Sequence, residues 1–184
     1  MRLRIVAIIL LLVAVAGWAV WRGVQPSGAP QASLPEWPAI HSAVDRVEIR
    51  PPSGATVRLE KKDGKWMLMR DKPVAANDKF VEHLIDDLVN AHVIRVVSRN
   101  RDHDEALQVG QQGVSVRLFG QDGKPLLDLV VGKQGNDLLS TYVRRVGKPE
   151  TVAVDKALVW QVRRGISSWK APKENTEKKG HVGH

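Results

Sequence analysis

The 184 residues predict an α+β fold of two related strand-hairpin-plus-helix modules with mainly antiparallel sheet, preceded by one N-terminal transmembrane helix. Three observations predict it. An uncharged run opens the chain, apolar and polar residues alternate in short stretches after residue 44, and one fifteen-residue stretch returns 59 positions later. Strands come first and a helix follows, twice, which argues for helices packed beside antiparallel sheet.

The opening run covers residues 5–21, from Ile5 to Trp21, between Arg4 and Arg22. As a helix it spans about 26 Å, at the short end of what crosses a bilayer. Trp18 and Trp21 suit the lipid–water boundary, and Arg4 and Arg22 can reach outward from either end. Two arginines precede the run and one follows it. By the positive-inside rule residues 1–22 form a cytoplasmic tip and signal-anchor. The chain is then a single-pass protein of the bacterial cytoplasmic (inner) membrane, N-terminus inside, with its domain in the periplasm or extracytoplasmic space. The alternative is a signal peptide cleaved after Ala14-Val15-Ala16, and either reading exports the domain. With no cysteine, disulfides, thiolate metal sites, cysteine nucleophiles and a lipid-modified anchor cysteine are all excluded.

Residues 23–40 are rich in Pro and Gly and read as an extended linker. Residues 41–169 form the exported domain, with modules at about 44–98 and 113–165. Val47 and Ile49, Val57 and Leu59, and Trp66 and Leu68 mark strands by alternation. Asp63-Gly64 is the hairpin turn between the second and third of these. Asn77 or Asp78 caps a helix whose stripe is Phe80, Val81, Leu84, Ile85, Leu88 and Val89. A strand follows at 93–97, then a polar stretch at 98–112 with Leu107 and Val109 as anchors. Residues 113–127 repeat 54–68 at eight of fifteen positions, Val-Arg-Leu and Asp-Gly-Lys included, which favours duplication over shared turn chemistry. Strands at 127–131, 141–146 and 151–154 complete the second module, and Asp155 caps a short helix over 156–164. Residues 170–184 are charged and predicted to be disordered.

Several of these stretches resemble a bacterial family known as domain of unknown function 4340. The resemblance lies in Val47-Glu48-Ile49, in the run from Val57 to Trp66, and in Pro73-Val-Ala-Ala-Asn77 leading into Val81–Leu88. It continues through Val116-Arg-Leu118, Val131-Gly-Lys133, Tyr142-Val-Arg144 and Trp169, covering roughly residues 44–169. The resemblance implies a membrane-anchored, exported accessory protein linked to ABC-type or gliding-motility-type export systems. It carries no catalytic residues with it.

Catalytic chemistry finds little support in the residues. Arg101-Asp102-His103-Asp104-Glu105 holds oxygen and nitrogen donors for a divalent cation, but lacks EF-hand spacing and reads as a solvated loop. Glu82, His83, Asp86 and Asp87 fall on the polar face of the helix. His181 and His184 sit on the tail without a preorganised partner. Gly132-Lys133-Gln134-Gly135 lacks the Ser/Thr and the upstream Gly of a phosphate loop, so no nucleotide is expected. No Gly-x-Ser-x-Gly elbow occurs. Trp37, Trp66, Trp160 and Trp169 suit core or interface packing better than sugar stacking.

The net charge of +8 divides as +2 for residues 1–38, +4 for 39–169 and +2 for the tail. Acids and bases interleave in the domain, so no nucleic-acid groove is expected. No catalytic residue, cofactor or metal is assigned. The predicted function is a single-pass, membrane-anchored, non-catalytic accessory or scaffold protein, held in the membrane through Ile5 to Trp21. Its partner is an integral-membrane protein of a membrane or transport complex. The alternative is an exported binding module for an anionic ligand, such as a cell-wall polymer or lipid headgroup, using Arg144-Arg145 and Arg163-Arg164.

Overall fold

The computed structural model describes residues 34–40 and 43–172. The run 5–21, most of the linker, residues 41–42 and the tail with His181 and His184 lie outside the described residues. Among the described residues nine strands form: β1 (Arg46–Arg50), β2 (Val57–Lys62), β3 (Lys65–Leu68), β4 (Val74–Ala75), β5 (Val93–Ser98), β6 (Val114–Phe119), β7 (Pro125–Gln134), β8 (Thr141–Arg145) and β9 (Thr151–Val154). Helix α1 (Asp78–Val89) has twelve residues, while α2 (Asp104–Leu107) and α3 (Val159–Val162) are single turns. Short 3-10 turns lie at Arg101–His103 and Ile166–Trp169.

All nine strands belong to one sheet, ordered β4-β3-β2-β1-β6-β7-β8-β9-β5, and every pairing is antiparallel. This corrects the expectation of two strand-hairpin-plus-helix modules. β1 pairs on both sides: Val47 lies opposite Leu59 and Leu118, and Ile49 lies opposite Val57 and Val116. A central strand must satisfy its backbone N–H and C=O groups on both edges, and the two similar hairpins each supply one edge. They therefore fuse into a continuous sheet.

Of the two helices expected in the domain, only the first has its full length, and a further single turn, α2, lies in the polar stretch. The second one, predicted over 156–164, shrinks to α3. Asp155 does not cap it, because its carboxylate accepts the His92 N–H at 2.8 Å and so ties β5 to β9. The N–H of Leu158 instead donates to the Thr141 hydroxyl at 2.9 Å. Among the described residues no helix is long and apolar enough to cross a membrane.

One face of the sheet carries the core. Val47, Ile49, Val57, Leu59, Leu68, Val116, Leu118 and Leu129 point to it, and Val81, Leu84 and Leu88 of α1 cover them. Each such side chain contributes about 1.5–3 kcal/mol on burial. Leu158, Val162 and Trp169 extend the cover. The other face is polar over β1, β2, β6 and β7, where Arg58–Glu48 (3.1 Å) and Arg117–Asp128 (3.0 Å) ion pairs bridge strands. In the hairpin turn between β2 and β3, Asp63 and Gly64 both take positive φ (50° and 79°), which is the conformation a two-residue hairpin requires.

Candidate docking site at the open sheet edge

The two ends of the sheet are finished differently. At β4 the chain covers its own edge. The Asn77 N–H donates to the Trp169 carbonyl (2.8 Å), the Ala171 N–H donates to the Ala75 carbonyl (2.9 Å), and Ala76 bridges Lys170. At the opposite end β5 pairs with β9 on one side, and among the described residues no backbone pairs with its other side. Its six residues are Val-Ile-Arg-Val-Val-Ser, and the Ile94 side chain is 44% exposed. β-branched residues favour the extended chain, so the strand holds its shape with its edge uncovered. Such an edge presents a row of donors and acceptors to another strand. Register irregularities after Val93 and after Val96 interrupt the ladder and limit how far a second strand can run along it.

An open groove of about 440 Å³ adjoins this edge, between residues 34–39 and the segment 89–93. Trp37 fixes its wall: the indole N–H donates to the Leu88 carbonyl at 2.8 Å, at the C-terminal end of α1. Trp37 and Ile40 also pack against the core, so the described end of the linker is part of the domain. Arg145 adds a bond from its guanidinium to the Glu36 carbonyl (3.4 Å). Val93 belongs to both groove and edge strand, which makes them one continuous surface.

The acid-rich segment at 101–105 does not converge. Asp104 turns inward to the Arg144 guanidinium, which also donates to the Val109 carbonyl at 2.9 Å. His103 Nδ1 meets the Ser98 hydroxyl at 2.9 Å, and Asp102 exchanges hydrogen bonds with Asn100. Glu105 accepts from the Gln111 N–H at 3.4 Å. On α1, Asp87 is shared by His83 (3.6 Å), Lys156 (3.7 Å) and the buried Gln161 (2.6 Å), while Asp86 accepts from Asn90. Among the described residues no three metal-capable side chains gather.

Gly132, Lys133 and Gln134 are the last residues of β7, and Gly135 follows it. A Cβ on Gly132 would meet the Leu107 carbonyl oxygen at 2.4 Å, so glycine there lets the segment around α2 lie on the sheet. Arg163 donates to Gln108 (3.2 Å) and to the Gln112 carbonyl (3.4 Å). Of the four arginines weighed for anion binding, Arg164 is the exception, stacked among aromatic rings. Sequence reasoning missed the open edge and the Trp37 pin. A lone tryptophan amid prolines was the available signal for the second; nothing local could give the first.

The sequence model of a family described as "Domain of unknown function (DUF4340)" matches residues 66–176, more than half of the chain. The chain belongs to the DUF4340 family. The match runs from Trp66 in β3 through both ends of the sheet, so the open β5 and the residues that close β4 lie within the family region. No curated protein and no solved structure matches this DUF4340 chain.

Proposed function

We propose that this DUF4340 protein is a non-catalytic accessory subunit, anchored in the membrane by residues 5–21, which docks its extracytoplasmic domain on a membrane or transport complex by strand addition at β5. The observation that carries this reading is the contrast between the two sheet edges. The chain covers β4 with its own residues 169–171, while among the described residues nothing covers β5, which lies beside an open groove. Strand addition draws affinity from main-chain hydrogen bonds and specificity from pockets for alternate side chains. Asp104, His103 and Asp87, three of the residues weighed for chemistry, are engaged in an ion pair and in hydrogen bonds, which supports an interaction role. An ABC-type export complex is the partner class that the family resemblance suggests.

The test uses the full chain extracted in detergent. We expect a stoichiometric integral-membrane partner with the wild type, and at least a roughly tenfold loss of it with Ile94→Lys/Val97→Lys. The thermal melting of the variant should stay within a few degrees of the parent, since both changes lie on the uncovered strand. Undiminished recovery of the partner by the doubly substituted chain would refute docking at β5.

A further inference from the structure

Arg164 follows α3, and its guanidinium carbon lies 3.8 Å from the centre of the Phe80 ring, 4.7 Å from that of Trp160 and 5.7 Å from that of Trp169. The rings come from α1, from α3 and from the last 3-10 turn, so three separate elements converge on one cation. Among the described residues no carboxylate lies within ion-pairing distance of it. Its Nη1 is buried with no acceptor among the described residues, and so is the indole nitrogen of Trp169. Burial lowers the pKa of Arg164 from its ordinary value, as expected for a desolvated cation, and the group stays charged at neutral pH.

A surface arginine escapes such a position by swinging into water. Here the aromatic rings hold it. With Nη1 buried, the donors left to meet a ligand are those of Nε and Nη2, an adjacent pair forming a fork whose rigid spacing matches the oxygens of carboxylate or phosphate. Trp160 is 53% exposed and Phe80 is 37% exposed, so two of the three rings around the guanidinium are aromatic surfaces that solvent can reach. Charge, donor geometry and apolar walls are therefore present together.

We propose that Arg164, Trp160 and Phe80 form a binding site for a small ring-bearing oxyanion: a carboxylate or phosphate on Arg164, its ring stacked against Trp160. A sugar acid and an aromatic acid both present this chemistry. The site does not depend on docking at β5, which lies at the end of the sheet, and the two readings stand or fall separately.

The test is a titration of the full chain in detergent micelles, at fixed ionic strength, with sodium glucuronate, sodium benzoate, inorganic phosphate and neutral glucose. The readout is NMR of the Arg164 Nε–H and of the Trp160 and Trp169 indole N–H signals. We expect saturable shifts at all three with glucuronate or benzoate, and the stronger of the two identifies the ring. Arg164→Lys keeps the charge but loses the fork, so affinity should fall at least about tenfold, and Trp160→Ala should do the same. Arg164→Gln should abolish binding while circular dichroism stays unchanged. Four results overturn the proposal: no saturable shift below about 10 mM of either acid, equal binding of inorganic phosphate, equal binding of glucose, or unaltered affinity in a folded Arg164→Gln chain. Shifts seen with anionic vesicles but with neither acid would assign the patch to a membrane surface and likewise overturn it.

Discussion

Asp137 organises a turn with one oxygen. Its Oδ1 accepts from the Ser140 N–H (2.8 Å), the Ser140 hydroxyl (2.8 Å) and the Leu139 N–H (3.0 Å). These bonds, the Ser140 N–H foremost, hold the carboxyl below its ordinary value of 3.8. The turn they fix places Leu138 at a φ of 61°, an unusual setting for leucine, and leaves Leu138 and Leu139 exposed. A depressed folded pKa means the unfolded chain binds the proton more readily. The turn's stabilisation is thus complete above the ordinary carboxyl value and declines as pH falls through the folded one. A carboxyl NMR titration should place Asp137 below 3.8, and a value at or above that would contradict the three-donor account. In the core, Leu84→Ala and Leu88→Ala should each cost about 2–5 kcal/mol in denaturant unfolding, because both are fully buried. That stripe was legible in the helical spacing of Val81, Leu84 and Leu88. Phe80, read into the same stripe, sits at its rim on Arg164, because its neighbour across the chain is a stacked cation that no local pattern reveals.

The segment around α2 shows the same contrast between local and distant information. Within the polar stretch 98–112, residues 101–105 read as a solvated loop, yet the segment lies against β7 and β8 through Asp104–Arg144 and through the close approach at Gly132. Gly132→Ala should destabilise by roughly 1–3 kcal/mol, since its Cβ would press on the backbone at Leu107. Faster amide exchange confined to residues 104–113 would locate the damage. Asp104 and Arg144 side chains are only 15% and 12% exposed. Arg144→Met should therefore approach the ~3–5 kcal/mol of a broken buried pair, less what the residual exposure screens, whereas Asp102→Asn should stay within about 0.5 kcal/mol. Equal effects from the two substitutions would show that the pair carries no special weight. Strands and turns could be read because alternation and Asp-Gly are local signals. Their neighbours could not: β5 pairs with β9 across some fifty intervening residues, and β1 chooses both partners only when the whole sheet exists. For the same reason Asp155 read as a helix cap, although its partner is His92.

For the whole molecule, an anchored domain meets a membrane partner at high effective concentration, so a modest interface suffices. Replacing residues 1–22 by a cleavable export signal should weaken recovery of the partner while leaving the melting of the domain unchanged. The intact chain should remain in the membrane pellet after carbonate washing; release of a chain beginning at Gly17 would instead favour the cleaved form. The strand order also sets a timetable for a chain made from its N-terminus onward. β2, β3 and β4 can pair as they appear, but β5 is complete at Ser98 and its neighbour does not begin until Thr151. The backbone that covers β4 comes later still, at residues 169–171. At about 5–20 residues per second the growing chain therefore carries two bare strand edges for several seconds. β5 reaches its final pairing at residues 151–154, and β4 is covered only at 169–171. A nascent chain halted near residue 150 should self-associate, and one halted beyond 172 should not. The interval between those two lengths is when a holding factor has most to protect.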